Sequence, residues 1–379
     1  MDCQAYLKAH SQEILATWRT LHDMPEVAFS EKKTSAYLAE ELRKTGFVIK
    51  HVAKTGVLGI FDSGKPGPSV AARADMDALL HQIDGQERAV HSCGHDANCT
   101  AVLWAAKSLV ATDAITRGSL QILFQPAEET LEGAKACIKE GVLSDVEYLI
   151  GTHLRPAEEL PLGSISPAVL HGASGILKMT VEGQNAHGAR PQQGVNAVEA
   201  AIAVITGVYS LHFDPMTPHS IKVTQFRSGP NPHNVIPDKV ELAFDMRAQT
   251  NELLHRQIDS VRQRAEQVAT AYSAKASCYW KGGVRAAIPC EELIGVAQKA
   301  IVEVLGQQGL GPVLATSGGE DMHEFIAAYP CLKSTILGVG ADLTPGLHQA
   351  DMTFDKRALL GSAQTMAELL ARLVNEKNK

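Results

Sequence analysis

The chain has 379 residues, of which 45% are hydrophobic and 20% charged, so general disorder is excluded and, at about 150 residues per domain, about two domains are expected. Its 35 Lys and Arg against 42 Asp and Glu give a formal net charge of -7, without long runs of like charge, which argues against a non-specific nucleic-acid binder. The seven cysteines are scattered in no disulfide framework, and no apolar run approaches the roughly 20 residues that span a bilayer. The first residues, MDCQAYLKAHSQEIL, lack a secretory pattern, so a cytoplasmic protein with reduced thiols is expected.

Taken in chain order, residues 5 to 22 and 31 to 45 have helical apolar spacing, with Ser30 placed as N-cap and Glu31 in the first turn of the second helix. Short apolar runs at 57 to 61 and 69 to 72 read as strands around the turn-rich DSGKPGPS. A helix from about 100 to 110 precedes a strand at 119 to 125, and a helix at 133 to 140 precedes a strand at 147 to 154. Strands that alternate with helices in this way predict a buried mixed or parallel sheet.

The texture changes near Ser174. Segments 175 to 184, 220 to 229 and 239 to 248 alternate with period two, 196 to 211 and 250 to 271 read as helices, and 274 to 280 as a further strand. Period-two segments with one buried face describe an antiparallel sheet. The first texture returns from Ile288, with helices near 291 to 305 and 355 to 375 and a strand at 335 to 339. The expected organisation is an α/β domain formed by 1–173 and 286–379, interrupted by a smaller α+β domain at 174–285.

The residues that carry chemistry cluster at the ends of predicted strands, where α/β sheets present ligand sites. Cys93 and His95 flank a glycine in HSCGHD, so both side chains can face one point; thiolate and imidazole suit a borderline cation, while a buried thiol beside a structural histidine is the plain alternative. In FQPAEE, adjacent Glu128 and Glu129 leave a strand end, where one carboxylate can bind a metal and the other take a proton; taken alone, such a pair is more often a solvated loop. His153 follows another apolar strand and His348 lies in a loop. Together Cys93, His95, Glu129, His153 and His348 exceed the three protein ligands of an open catalytic zinc site, so two ions sharing ligands is the economical reading.

Seven motifs in order, RADMDAL, HSCGHD, QPAEE, GTHL, NAHGARP, HNVIP and GLHQADMTF, resemble those of the aminoacylase/carboxypeptidase family of di-metal peptidases. The likeness runs from about residue 10 to 375 and points to the amidohydrolase branch, with its hippurate hydrolases, auxin-conjugate hydrolases and N-acetyl-amino-acid deacetylases. It implies a di-metal exopeptidase-like catalytic domain with a mixed sheet, and makes the inserted domain a lid that also dimerises, with hinges near 172 to 175 and 282 to 283. The implied metal ligands are Cys93, His95, Glu129, His153 and His348, holding two divalent ions per chain, Zn, Mn, Ni or Co. Glu128 becomes the general base for a metal-bridging water, and His187 the contact to the scissile carbonyl. Asn234 and Arg247 fall where the family meets the substrate's carboxylate end, while Asp75, Asp77 and Asp96 become carboxylates that orient the ligating histidines.

This sequence departs from the family pattern at Asn98 and Cys99, where a second histidine is usual after CGHD, at Ser92 in place of alanine, and at Gly188 and Arg190 in the lid motif. The expected activity is hydrolysis of the amide bond of an N-acyl-L-amino acid, with acetyl, benzoyl or a similar aromatic acyl group, without nucleic-acid or membrane partners; the resemblance implies a homodimer through the inserted domain. A dipeptidase or aminopeptidase of the same fold is the alternative within this chemistry. A non-catalytic metal or conjugate binder is disfavoured by the presence of Glu128 and all five ligands, and Cys93 as a nucleophile would require a site indifferent to chelators.

Overall fold

A computed structural model describes residues 1–229 and 232–376. The expected lid span and the expected C-terminal catalytic span therefore contain short segments, 230–231 and 377–379, outside the described residues. The chain divides into two compact units, one of Met1–Leu170, Ile288–Leu314 and the segment from Asp321 onward, the other of His171–Ala287 and Ala315–Glu320. No helix among the described residues is long and apolar enough to cross a membrane.

The first unit is built on a seven-stranded mixed sheet. Across it lie Val48–Val52, Gly56–Asp62, Ser119–Gln125, Ser69–Asp75, Tyr148–Pro156, Lys333–Leu343 and Ile165–Ser166. The four strands from Ser119–Gln125 to Lys333–Leu343 run parallel, and the outer ones are antiparallel to their neighbours. These inner strands are largely apolar because both faces are covered, with buried polar side chains such as Arg73, Asp75 and Gln125 toward their C-terminal ends. Val70, Ala72 and Ala74 point to a core shared with helices His95–Ala111 and Ala358–Val374, while the intervening Ala71 points to a second core with Ala134, Cys137 and Phe325. Full burial of a large aliphatic or aromatic side chain is worth roughly 1.5–3 kcal/mol, so the two cores are the main source of stability.

The second unit is a four-stranded antiparallel sheet in the order His219–Ser228, Lys239–Ala248, Ala173–Glu182, Lys275–Val284. Leu177, Met179 and Val181 alternate with exposed or half-exposed neighbours, while on the adjacent strand Val240, Leu242, Phe244 and Met246 line the same core and Ala243 between them is buried as well. They pack against helices Ala197–Tyr209 and Asn251–Ala271. Asn196 caps the first helix at the amides of Val198 and Glu199, and Thr250 caps the second at Leu253.

Several local expectations are corrected. The helix expected at 5 to 22 is two, Cys3–Ala9 and Ser11–His22, broken at His10. The helix expected from about 100 begins at His95, placing a candidate ligand in its first turn. Ser30 is not the cap of Lys32–Lys44; Glu31 is the N-cap residue and its side chain does not cap. The amides of Lys33 and Thr34 instead donate to Glu26 Oε2, at 2.8 and 2.9 Å, from outside the helix. The edge strand Val48–Val52 and the hairpin of Leu79–Ile83 with Gln86–Val90 were not anticipated, since neither carries a clear apolar alternation.

One polar network lies inside the first unit. Arg73, fully enclosed in the central strand, donates to Gln125 Oε1 at 3.1 Å, Asp75 Oδ2 at 3.0 Å and Asp321 Oδ1 at 2.9 Å. Replacing Arg73 by Ala strands two buried carboxylates, and uncompensated buried charge costs about 3–5 kcal/mol. A urea titration of Arg73→Ala is expected to show that loss; a change below about 1 kcal/mol would exclude this role for the network.

Candidate metal centre

The C-terminal ends of the parallel strands bring the candidate donors of the first unit together. Asp75 ends its strand opposite Gln125 in register, Glu128 and Glu129 lie just past the end of the Gln125 strand, after Pro126 and Ala127, and His153 pairs with Gly338 on the neighbouring strand. Gly94 supplies the turn into helix His95–Ala111: its φ of +86° is left-handed, and a Cβ there would meet Leu154 Cδ1 at 2.9 Å. This turn lets Cys93 and His95, two residues apart, serve one centre.

Among the described residues several donor groups are close enough to share a cation, and two of them consist wholly of the predicted ligands. Single ligand atoms of Cys93, His95 and His153 lie within 4.8 Å of one another, as do those of Cys93, Glu129 and His348. Cys93 belongs to both. Its Sγ is 3.5 Å from His153 Nε2, His95 Nε2 is 3.8 Å from Glu129 Oε1, and His348 Nε2 is 3.5 Å from Glu129 Oε2. Glu128 is buried and groups with Asp75 and His95. His348 is the exposed member, on a loop where its own amide donates to Ser92 O at 2.7 Å.

Surrounding groups fix the orientation of the rings. His95 Nδ1 bonds to the main-chain oxygen of Asp77 at 2.9 Å and His153 Nδ1 to that of Leu154 at 2.7 Å, which leaves Nε2 of each as the atom turned to the centre. Asp75 Oδ2 lies 3.4 Å from His95 Nε2, and Asp77 Oδ1 lies 3.3 Å from His95 Nδ1. Asp77 Oδ2 also accepts from the Glu129 amide at 3.0 Å. Asp96 is placed elsewhere: it accepts from His22 Nδ1 at 2.7 Å and from the Ala97 amide, so it orients no candidate ligand. Asn98, where the family pattern has histidine, donates to Asp75 Oδ1 at 3.0 Å, and Cys99 donates to the Asp75 carbonyl.

The electrostatics suit a cation. His95 Nε2 and Glu129 Oε1 are buried without a hydrogen-bond partner, an arrangement that normally requires explanation. Burial holds the His153 imidazole down at about 4, so it is neutral and able to ligate. Burial pushes the Cys93 thiol far up, so a thiolate there needs a positive charge beside it. Burial likewise raises the Glu129 carboxyl. A free nucleophilic thiol would show the opposite tendency, so Cys93 fits a ligand better than a nucleophile.

The remaining candidates belong to the second unit. His187 lies on the short ribbon Ala186–His187, paired with Val235–Ile236, and the amide of Gly188 donates to Asn234 O at 2.7 Å, so His187 and Asn234 are neighbours. Both side chains are exposed. The amide of Ala189 donates to His187 Nδ1 at 3.1 Å, which puts the proton of the neutral ring on Nε2. Arg247 stands apart on Lys239–Ala248, in a cleft of ≈ 530 Å³ with His219, Lys222 and Ser317. Its guanidinium is already held by Asp245 at 3.0 Å and by the Ser317 carbonyl.

Residues 71–372 match peptidase family M20/M25/M40. The chain is 32% identical to the IAA-amino acid hydrolase ILR1-like 2 of Arabidopsis thaliana, over 82% of this chain and 74% of that protein. It is 28% identical to the N-acetyl-L-cysteine deacetylase of Bacillus subtilis, covering 98% and 91% of the two. Among solved structures, the YXEP protein of Bacillus subtilis, described as a dinuclear metal binding peptidase of the M20 family, superimposes with a TM-score of 0.82 at 25% identity over 97% of this chain and 99% of that one.

Gly94→Ala tests the turn that aims Cys93 and His95. The left-handed backbone costs an L-residue about 1–2 kcal/mol, before the contact with Leu154 is counted. A thermal midpoint several degrees lower is expected; an unchanged midpoint would mean that the turn relaxes freely.

Proposed function

The chain belongs to peptidase family M20/M25/M40, and from that membership and the donor set of the first unit we propose that it is a metal-dependent amidohydrolase acting on N-acyl-L-amino acids. The observation that carries the reading is the convergence of Cys93, His95, Glu129, His153 and His348, with His95 Nε2 and Glu129 Oε1 buried without a hydrogen bond. The soft and borderline donors fit zinc, manganese, nickel or cobalt, and the shared Cys93 fits a pair of ions. When bound, such a pair polarises a carbonyl and lowers the pKa of water.

The chain's own residues supply the rest. Glu128, which is not one of the five predicted ligands, takes the proton of the attacking water as its oxygen bonds to the acyl carbon. It returns that proton to the amide nitrogen as the C–N bond breaks, which leaves a carboxylic acid and a free amino acid. His187, with its proton on Nε2, is assigned as donor to the carbonyl oxygen. Asn234 is assigned to the substrate carboxylate ahead of Arg247, whose charge is partly answered by Asp245. The second unit takes the lid and dimerisation roles; among the described residues its outer strands His219–Ser228 and Lys275–Val284 have a sheet partner on one side only. The seven unpaired thiols support a cytoplasmic setting.

A chelator should abolish turnover and an added divalent cation should restore it, which a thiol nucleophile would not require. Glu128→Gln should lower kcat by roughly 10²–10⁴-fold while metal content stays near that of the parent; retained turnover would remove Glu128 from the mechanism. A panel of acetyl, benzoyl and indole-acetyl amino acids against dipeptides should favour the acyl conjugates, and a preference for dipeptides would select the peptidase reading.

A further inference from the structure

Glu31 is a carboxylate fully buried in the first unit, in a position that its helix does not use. Its Oε1 accepts from the Ala127 amide at 2.9 Å and its Oε2 from Thr55 Oγ1 at 2.6 Å. Ala127 is itself buried and has a φ of +55°, the left-handed conformation that costs an L-residue about 1–2 kcal/mol. Such strain persists only where surrounding contacts over-determine it. The next residue is Glu128.

The turn around Glu128 is gripped at three points. The Ala127 amide is held by Glu31, the Glu129 amide by Asp77 Oδ2 at 3.0 Å, and the Ala127 carbonyl accepts from the Gly133 amide at 3.1 Å. Gly133 has no room for a side chain, since a Cβ would fall 1.7 Å from Pro126 O. Glu128 therefore sits between two amides, each fixed by a carboxylate from another part of the chain.

We propose that Glu31 is a positioning residue for the reaction: by binding the Ala127 amide it holds the left-handed turn that aims Glu128 and Glu129. The assignment rests on Glu128 as the general base. Glu31 touches neither substrate nor donor atoms; its effect passes through the main chain of Ala127. A displacement of about 1 Å in a reacting group can cost on the order of 10²-fold in rate, so the grip is expected to appear in kcat.

The test compares Glu31→Ala, Glu31→Gln, Ala127→Gly and the double variant Glu31→Ala/Ala127→Gly on one N-acyl amino acid, together with hydrogen exchange of the Ala127 amide. Glu31→Ala should lower kcat by about tenfold or more, leave KM within about twofold and expose the Ala127 amide. Glu31→Gln retains an acceptor oxygen and should remain near the parent in both. Glycine adopts the left-handed conformation without support, so Ala127→Gly should restore most of the kcat lost in Glu31→Ala. Unchanged kcat with a lower thermal midpoint, an equal loss in Glu31→Gln, or no rescue by glycine would each overturn the proposal. If Glu31→Ala does not fold, Thr55→Val, which frees the carboxylate, should lower kcat and protection together, and a variant that moves neither overturns it. Glu128→Gln separates the premises: its retained turnover would refute the base assignment, while Ala127 exchange would still report the grip of Glu31.

Discussion

Compensation of buried charge around Arg73 governs the C-terminal edge of the large sheet. A guanidinium enclosed in the central strand, with carboxylates of Asp75 and Asp321 and the amide of Gln125 on its three sides, ties together strand ends that are far apart in the chain. Asp321 extends the network to Gln125 Nε2 at 2.8 Å and the Ala134 amide at 2.9 Å. The Asp75 carboxyl is thereby kept well below its usual range despite burial, with the neighbouring His95 and Arg73 charges opposing the desolvation cost. A charged Asp75 beside His95 Nε2 sets the electrostatics of the donor cluster.

From this anchor the site is built outward by groups that fix orientation. Main-chain oxygens of Asp77 and Leu154 select which ring nitrogen of His95 and His153 turns inward. Asp77 meets the His95 ring and the Glu129 amide at once, linking a candidate ligand in the first turn of a helix to one beyond a strand end. Rigid placement of this kind makes unsatisfied polar atoms tolerable: His95 Nε2 and Glu129 Oε1 cannot relax toward other partners. The second unit shows the contrasting design, with His187 and Asn234 exposed on a two-residue ribbon.

Much of the site was legible because its signals are short in sequence. C-x-H, adjacent glutamates after a strand, and histidines past an apolar run or in a loop single out Cys93, His95, Glu128, Glu129, His153 and His348 by residue type and spacing, and the ordered motifs extend this to the second unit. The carboxylates were less legible. Asp75, Asp77 and Asp96 have the same composition signal, yet the first two meet His95 whereas Asp96 turns to His22, 74 positions away. Glu31 resembled a first-turn helix acid, and nothing local indicated a bond to Ala127 at a separation of 96 residues.

By itself the sequence determined the fold class, the alternation that separates the parallel core from the antiparallel insertion, and the chemical types able to bind a cation. These properties depend on residue type and on periods of two or about 3.6, which are local. Tertiary structure alone decided which acid serves which partner, which nitrogen of each histidine faces the centre, and why a left-handed Ala127 is tolerable. Those depend on burial and on hydrogen bonds between segments distant in the chain, and the energy of a buried charge is set by what the fold places around it.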